Sequence, residues 1–104
     1  MKSITSHRES DIEKYLVKRV DEIGGESRKV KWIGRDHAPD RAVFYKGVYF
    51  VELKRPGEVL RPGQLREHFR LKQLGANMYV VSTLEQVDRF VDEIRSERIP
   101  ADRD

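Results

Sequence analysis

The chain has 104 residues, enough for one domain with a single modest core and too few for two. Charged and hydrophobic residues each make up 38%, and 21 Lys and Arg against 18 Asp and Glu leave a formal charge of only +3. That balance permits nucleic-acid binding without arguing for it. The absence of cysteine excludes a disulfide framework, a thiol nucleophile and a zinc-thiolate site. No apolar run reaches membrane-spanning length and Met1 to Ser10 lacks the apolar region of a signal peptide, so a cytoplasmic protein with no membrane role is expected.

A first helix is predicted from Ser6 to Gly24, with Ser6 and Glu9 at capping-box spacing and Gly24-Gly25 as its stop. Ile12, Leu16, Val20 and Ile23 form its apolar stripe, and Glu9 projects near the middle of that stripe. Burying an unpaired carboxylate is costly, so two readings of Glu9 stay open: a cap of the first turn, or a carboxylate reaching a metal site under the helix. Arg28 to Ile33 reads as a strand and Gly34 to Pro39 as a polar loop. Ala42 to Tyr45 and Val48 to Leu53 read as the two strands of a hairpin turning at Lys46-Gly47.

Arg55 to Pro62 is a loop with a Pro56-Gly57 turn. A helix follows from Pro62 to Leu74, with Leu65, Phe69 and Leu74 expected inward, Leu71 beside them, and Gly75 as the stop. Asn77 to Ser82 reads as a buried strand, and Thr83 as the cap of a last helix from Leu84 to Arg95 with Val87, Phe90, Val91 and Ile94 on its apolar face. Residues 1–96 thus form one domain and 97–104 a loose polar tail. A mixed α/β sheet of about four strands flanked by helices would bury these stripes.

The hairpin creates a chemical convergence. Asp40 begins its first strand, Glu52 and Lys54 end its second, and antiparallel pairing brings those ends together. Alternation sends Glu52 and Lys54 to one face and Val51 and Leu53 to the other. Two carboxylates suit a hard divalent cation, Mg²⁺ or Mn²⁺, and an ammonium beside them suits a phosphate or an attacking water. Gln64, in the first turn of the second helix, faces back toward the strand ends. Taken alone, Asp40 also fits a turn residue after proline, and Glu52 with Lys54 a solvated charge pair.

The longer pattern decides between these readings. The order αβββαβ with Pro39-Asp40 and Glu52-Leu53-Lys54 resembles the PD-(D/E)XK nuclease superfamily, with its restriction-endonuclease-like core. Glu9 to Leu16, Gly24-Gly25, Ala38 to Arg41, Phe50 to Lys54, Pro56-Gly57, Pro62-Gly63-Gln64 and Leu74 to Ala76 together resemble the VRR-NUC (virus-type replication-repair nuclease) domain over roughly residues 8 to 91. The resemblance implies a metal held by Asp40, Glu52 and the backbone carbonyl of Leu53, with Lys54 acting on the attacking water. It also matches Gln64 and Glu9 to site positions of the family. It implies a stand-alone phage-type endonuclease, homodimeric and acting on branched DNA such as four-way (Holliday) junctions in DNA repair, with no organic cofactor. The family's glycine three residues before the aspartate is here His37, which bears on the loop's conformation and adds a candidate DNA contact.

Arg35, Arg41, Arg55, Arg61 and Arg66, with Lys46, cluster in sequence around the proposed site and are candidates to track a DNA backbone; a solvated basic rim is the alternative. His7, His37 and His68 share no metal-ligand spacing and read as surface residues. Trp32, Tyr45, Tyr49 and Tyr79 read as core or interface, with Tyr49 and Val59 as candidates for a dimer surface. A second class of function is a catalytically inactive DNA-binding module of the same fold, and a third a protein–protein adaptor. The intact Asp40, Glu52, Lys54 and Gln64 weigh against the inactive module.

Overall fold

The structure, a computed structural model, describes residues 7–96. Its elements are α1 (Glu9–Glu22), β1 (Glu26–Lys29), β2 (Arg41–Phe44), β3 (Val48–Leu53), α2 (Pro62–Gln73), β4 (Met78–Val81) and α3 (Leu84–Ser96). One mixed sheet has the order β1-β2-β3-β4, with β1 to β3 an antiparallel meander and β4 parallel to β3. This is the expected α/β core with a C-terminal helix. Among the described residues no helix is long and apolar enough to cross a membrane.

Local chemistry sets the helix ends. The cap expected at Ser6 lies outside the described residues, as does the tail from Glu97; α1 opens with Arg8 as its N-cap, whose backbone N–H donates to Asp11 at 3.2 Å. α1 stops where Gly24 takes φ 85°, so that the Gly25 N–H reaches the Val20 carbonyl (2.9 Å) and the Gly24 N–H that of Asp21 (3.0 Å). α2 stops the same way at Gly75, with Ala76 bonding Leu71 and Gly75 bonding Lys72. Both are Schellman motifs, which need the left-handed conformation that glycine adopts without a Cβ penalty. Thr83 caps α3 as expected, its hydroxyl accepting from the Gln86 N–H at 3.0 Å.

The two faces of the sheet differ in kind. On the first, Val43, Tyr49, Val51, Leu53 and Val81 meet Ile12, Leu16 and Val20 of α1 and Val87, Phe90, Val91 and Ile94 of α3. Burying each such side chain contributes about 1.5–3 kcal/mol, so the core lies almost wholly here. Tyr15 donates to Asp88 (2.7 Å) and Arg19 ion-pairs with it, tying α1 to α3. Tyr49 is buried against Phe90 and Tyr79, which removes it as a dimer-surface residue.

The second face carries Ala42, Phe50, Glu52 and Lys54, with α2 over its polar end. Here the expectation for α2 is overturned. Its buried residues are Gln64, Glu67 and His68, whereas Leu65, Phe69 and Leu74 are 57%, 61% and 72% exposed. The polar groups beneath the helix, Glu52 and the Trp32 indole, demand hydrogen-bonding partners, and unsatisfied buried polar groups cost more than exposed leucines. Residues 64, 67, 68 and 71 share one helical face, so satisfying Glu52 turns 65 and 69 outward. Leu71, on the inward face, is half-buried.

The first strand is also displaced. β1 covers Glu26–Lys29, not Arg28–Ile33, and its ladder ends with the Val30 N–H donating to the Asp40 carbonyl at 3.1 Å. Beyond that the chain leaves the sheet edge. The Trp32 indole donates to Glu67 (3.0 Å) and its ring meets Phe50 edge-on at 6.5 Å, while Ile33 is exposed. The tryptophan's need for both an apolar seat and an acceptor outweighs continued strand pairing.

Candidate active site

The site forms where the β2–β3 ladder stops. In the register that pairs Arg41 with Val51, Asp40 would face Glu52 and Pro39 would face Leu53. The bonded pairs of this ladder are the odd-numbered ones, as the Tyr45 N–H to Gly47 carbonyl bond shows. Leu53 would therefore exchange both of its hydrogen bonds with Pro39, and proline has no N–H to give. The Asp40 carboxylate takes the Leu53 N–H instead (2.7 Å), and the Leu53 carbonyl projects on the same side with no proline donor to fill it. Proline and aspartate together thus end the ladder and leave a carboxylate and a carbonyl side by side.

Glu52 is 3% exposed and held from α2: the Gln64 amide donates to Oε2 at 3.1 Å, and His68 Nε2 lies 3.5 Å from Oε1. The Gln64 carbonyl oxygen accepts the Arg61 N–H at 2.9 Å, so its amide orientation is set by a helix cap. Lys54 is buried on the same face, anchored by its N–H to the Val81 carbonyl (3.0 Å), and makes no ion pair among the described residues. Asp40 is half-buried and its carboxyl is pushed up from 3.8 to about 6, first by burial, then by the charges of Glu52, Glu9 and Glu13, against the lowering effect of the Leu53 N–H.

These are the marks of an anionic pocket short of positive charge. Among the described residues no three His, Cys, Asp or Glu side chains form a ligand cluster of their own. A cation here would rest on Asp40, Glu52, the Leu53 carbonyl and waters, the hard-oxygen set that Mg²⁺ accepts while keeping several waters. The residues fit such an ion.

Other expected site residues divide. Glu9 is exposed at the start of α1 instead of buried on its stripe, and acts on Asp40 through its charge. Arg41 is engaged within the domain, bonding Glu13 at 2.8 Å and Ser27 at 3.2 Å, and its side chain is only 15% exposed, so it presents less to a DNA backbone than the half-exposed Arg35. Arg55 and Arg61 are exposed in the loop leading to α2, with Arg55 close to Glu58. Arg35, His37 and Arg66 line one groove of about 380 Å³ with Asp36, Gly63, Glu67 and Arg70. Arg35 reaches Glu67 at 3.0 Å.

His37 takes φ 67°, in the left-handed region that glycine enters without a Cβ penalty, so a histidine here holds a conformation that favours glycine. Its ring packs over Gly63, where an added Cβ would lie 2.2 Å from Nε2. His37→Val is expected to cost about 1–2 kcal/mol relative to His37→Gly, measured by urea unfolding, because a β-branched residue is strained at that φ. Equal stabilities would show the loop can re-route.

Sequence reasoning passed over Glu67 and placed His68 on the surface, whereas both are buried on the inward face of α2. The signal was present: a Gln64 facing the strand ends sends residues three and four further along to the same place.

No family model matches the chain. The chain is 46% identical over 78 residues to Putative nuclease p44 of Acyrthosiphon pisum secondary endosymbiont phage 1, a match covering 73% of this chain and 84% of that protein. A solved structure of a VRR_NUC domain is similar with a TM-score of 0.76 and 39% identity, covering 82% of this chain and 95% of that one. With the order of elements, these likenesses place the chain in a family: it belongs to the phage-type VRR-NUC nucleases.

Proposed function

We propose that this nuclease is a Mg²⁺- or Mn²⁺-dependent DNA endonuclease, selective for branched DNA such as four-way junctions and acting as a homodimer on DNA inside the cell. The observation that carries the reading is the end of the hairpin: the Asp40 carboxylate bonded to the Leu53 N–H, within the field of the buried Glu52, with the buried Lys54 two residues further along the same strand. Asp40, Glu52 and the Leu53 carbonyl would hold the ion. When bound, it supplies Lewis acidity toward the phosphate and a water of lowered pKa.

The chain's own groups do the rest. Lys54 places a positive charge where negative charge grows on the phosphate and orients the incoming water. Gln64 holds Glu52 in place through a helix-borne amide. Arg35, Arg66 and Arg70 offer a basic groove along which a DNA backbone can lie, and its phosphate contacts would make binding salt-sensitive. The exposed Leu65 and Phe69, one turn apart on α2, and the exposed Val59 before it support a second copy packing there. Two sites related by a two-fold axis could nick a symmetric junction on both strands.

The test is cleavage of labelled four-way junction and linear duplex with and without Mg²⁺ or Mn²⁺, comparing wild type with Lys54→Ala. Metal-dependent junction cutting that the variant loses is the expected result. Equal cutting of both substrates removes the selectivity, and DNA binding without any cutting leaves the inactive binding module. For the dimer, Phe69→Glu is expected to convert a dimeric wild type to a folded monomer in light scattering, since an exposed position loses little stability. A dimer untouched by that charge would place the interface elsewhere.

A further inference from the structure

We infer that His68 is a positioning residue for the cleavage reaction: from α2 it braces the far oxygen of Glu52, completing with Gln64 a two-point hold on a metal-binding carboxylate. The inference rests on the metal-dependent reading above. Gln64 and His68 are one helical turn apart, on the face of α2 that is turned to the sheet. Gln64 Nε2 bonds Glu52 Oε2 at 3.1 Å, and His68 Nε2 stands 3.5 Å from Glu52 Oε1.

Oε1 and Nε2 are buried atoms with no hydrogen-bond partner among the described residues, each in a residue more than nine-tenths removed from solvent. At 3.5 Å the two atoms make no hydrogen bond as placed, and a ring adjustment that brings an Nε2–H onto Oε1 would satisfy both orphaned groups at once. This requires the proton on Nε2, since a carboxylate only accepts. Each carboxylate oxygen has two lone-pair directions, so a donor on each leaves the remaining directions for a cation. The consequence is orientational. A glutamate held at one oxygen can still rotate about its last torsion, whereas one held at both presents a single geometry to the ion. Partners that orient a metal's ligands commonly change affinity by about 10–100-fold when removed.

The arrangement also accounts for the outward turn of Leu65 and Phe69. A helix that must deliver two polar side chains, Gln64 and His68, to one buried carboxylate cannot also bury the adjacent apolar face.

The experiment is Mn²⁺ titration by calorimetry, without DNA, on wild type, Glu52→Gln, His68→Phe and His68→Gln, each checked for folding by circular dichroism. His68→Phe is expected to weaken Mn²⁺ binding about tenfold, while His68→Gln, whose amide places an N–H where Nε2 was, stays within about threefold of wild type. A purely packing role would favour the Phe variant over the Gln variant. Wild-type affinity in His68→Phe, with Glu52→Gln failing to bind, overturns the brace and leaves the metal site standing. A wild type that binds no Mn²⁺ overturns the metal reading and the brace with it. Should His68→Phe not fold, a long-range ¹H–¹⁵N spectrum of metal-free wild type at mildly alkaline pH decides: protonation on Nε2 is expected, and on Nδ1 it refutes the brace.

Discussion

Lys54→Met is expected to lower the single-turnover rate of metal-dependent DNA cleavage by about 10²–10³-fold, the usual cost of removing one preorganised charge from a transition state. DNA affinity should change little, because Lys54 is buried at the strand end and the exposed arginines lie around it. The fold should not suffer either. The Lys54 ammonium makes no ion pair among the described residues, so the free protein bears a desolvation cost that an apolar stem of similar length removes. The expected signature is therefore a catalytic loss with unchanged or raised thermal stability. Anisotropy with fluorescent junction DNA, a melting curve and a quenched time course would check the three parts. Retention of activity within about tenfold would take Lys54 out of the chemistry.

Asp40→Asn should combine a cleavage loss of about 10³-fold, several kcal/mol of lost metal stabilisation, with a gain in metal-free stability. The substitution keeps an oxygen that can accept the Leu53 N–H, so the ladder's end is preserved. The sign of the stability change follows from the carboxyl, whose value is raised from 3.8 to about 6 in the folded protein by burial and then by Glu52, Glu9 and Glu13. Between those values the folded state holds a proton that the unfolded state has released. The associated stability is fully present below 3.8 and is lost as the pH rises through 6.

Without metal, the Asn variant should thus be more stable than wild type at neutral pH, by roughly 1 kcal/mol after discounting for partial exposure, with the gap closing in acid. Added Mg²⁺ should reverse the order, since only the wild type gains by mass action from binding it. Urea unfolding across pH, with and without Mg²⁺, measures both arms. If Mg²⁺ stabilises the two proteins equally, Asp40 is not a ligand.

Much of the site could be read from residue order because its parts are close in sequence and joined by a tight turn. Pro39-Asp40 and Glu52-Leu53-Lys54 flank one hairpin, and the three-residue connection after Phe44 dictates which residues oppose which. Alternation then assigns Glu52 and Lys54 to one face without further information. The apolar stripes of α1 and α3 were equally legible, since Ile12, Leu16 and Val20 and Val87, Phe90, Val91 and Ile94 each follow a single helical period and find an apolar face of the sheet.

What tertiary structure decided is where polar demand outranked apolar pattern. Leu65, Phe69 and Leu74 look like a core stripe, yet α2 turns Gln64, Glu67 and His68 inward, because Glu52 and Trp32 lie beneath it and need donors and acceptors. The same demand draws Trp32 off the sheet and shortens β1. Arg41 looked free until α1 brought Glu13 to it. The order of elements, the main core and the convergence of Asp40, Glu52 and Lys54 all follow from local periodicity and one turn, and so are written in residue order alone. Only the packed structure decided which face of α2 is buried, because that choice depends on partners far away in the chain whose unsatisfied hydrogen bonds cost more than an exposed leucine.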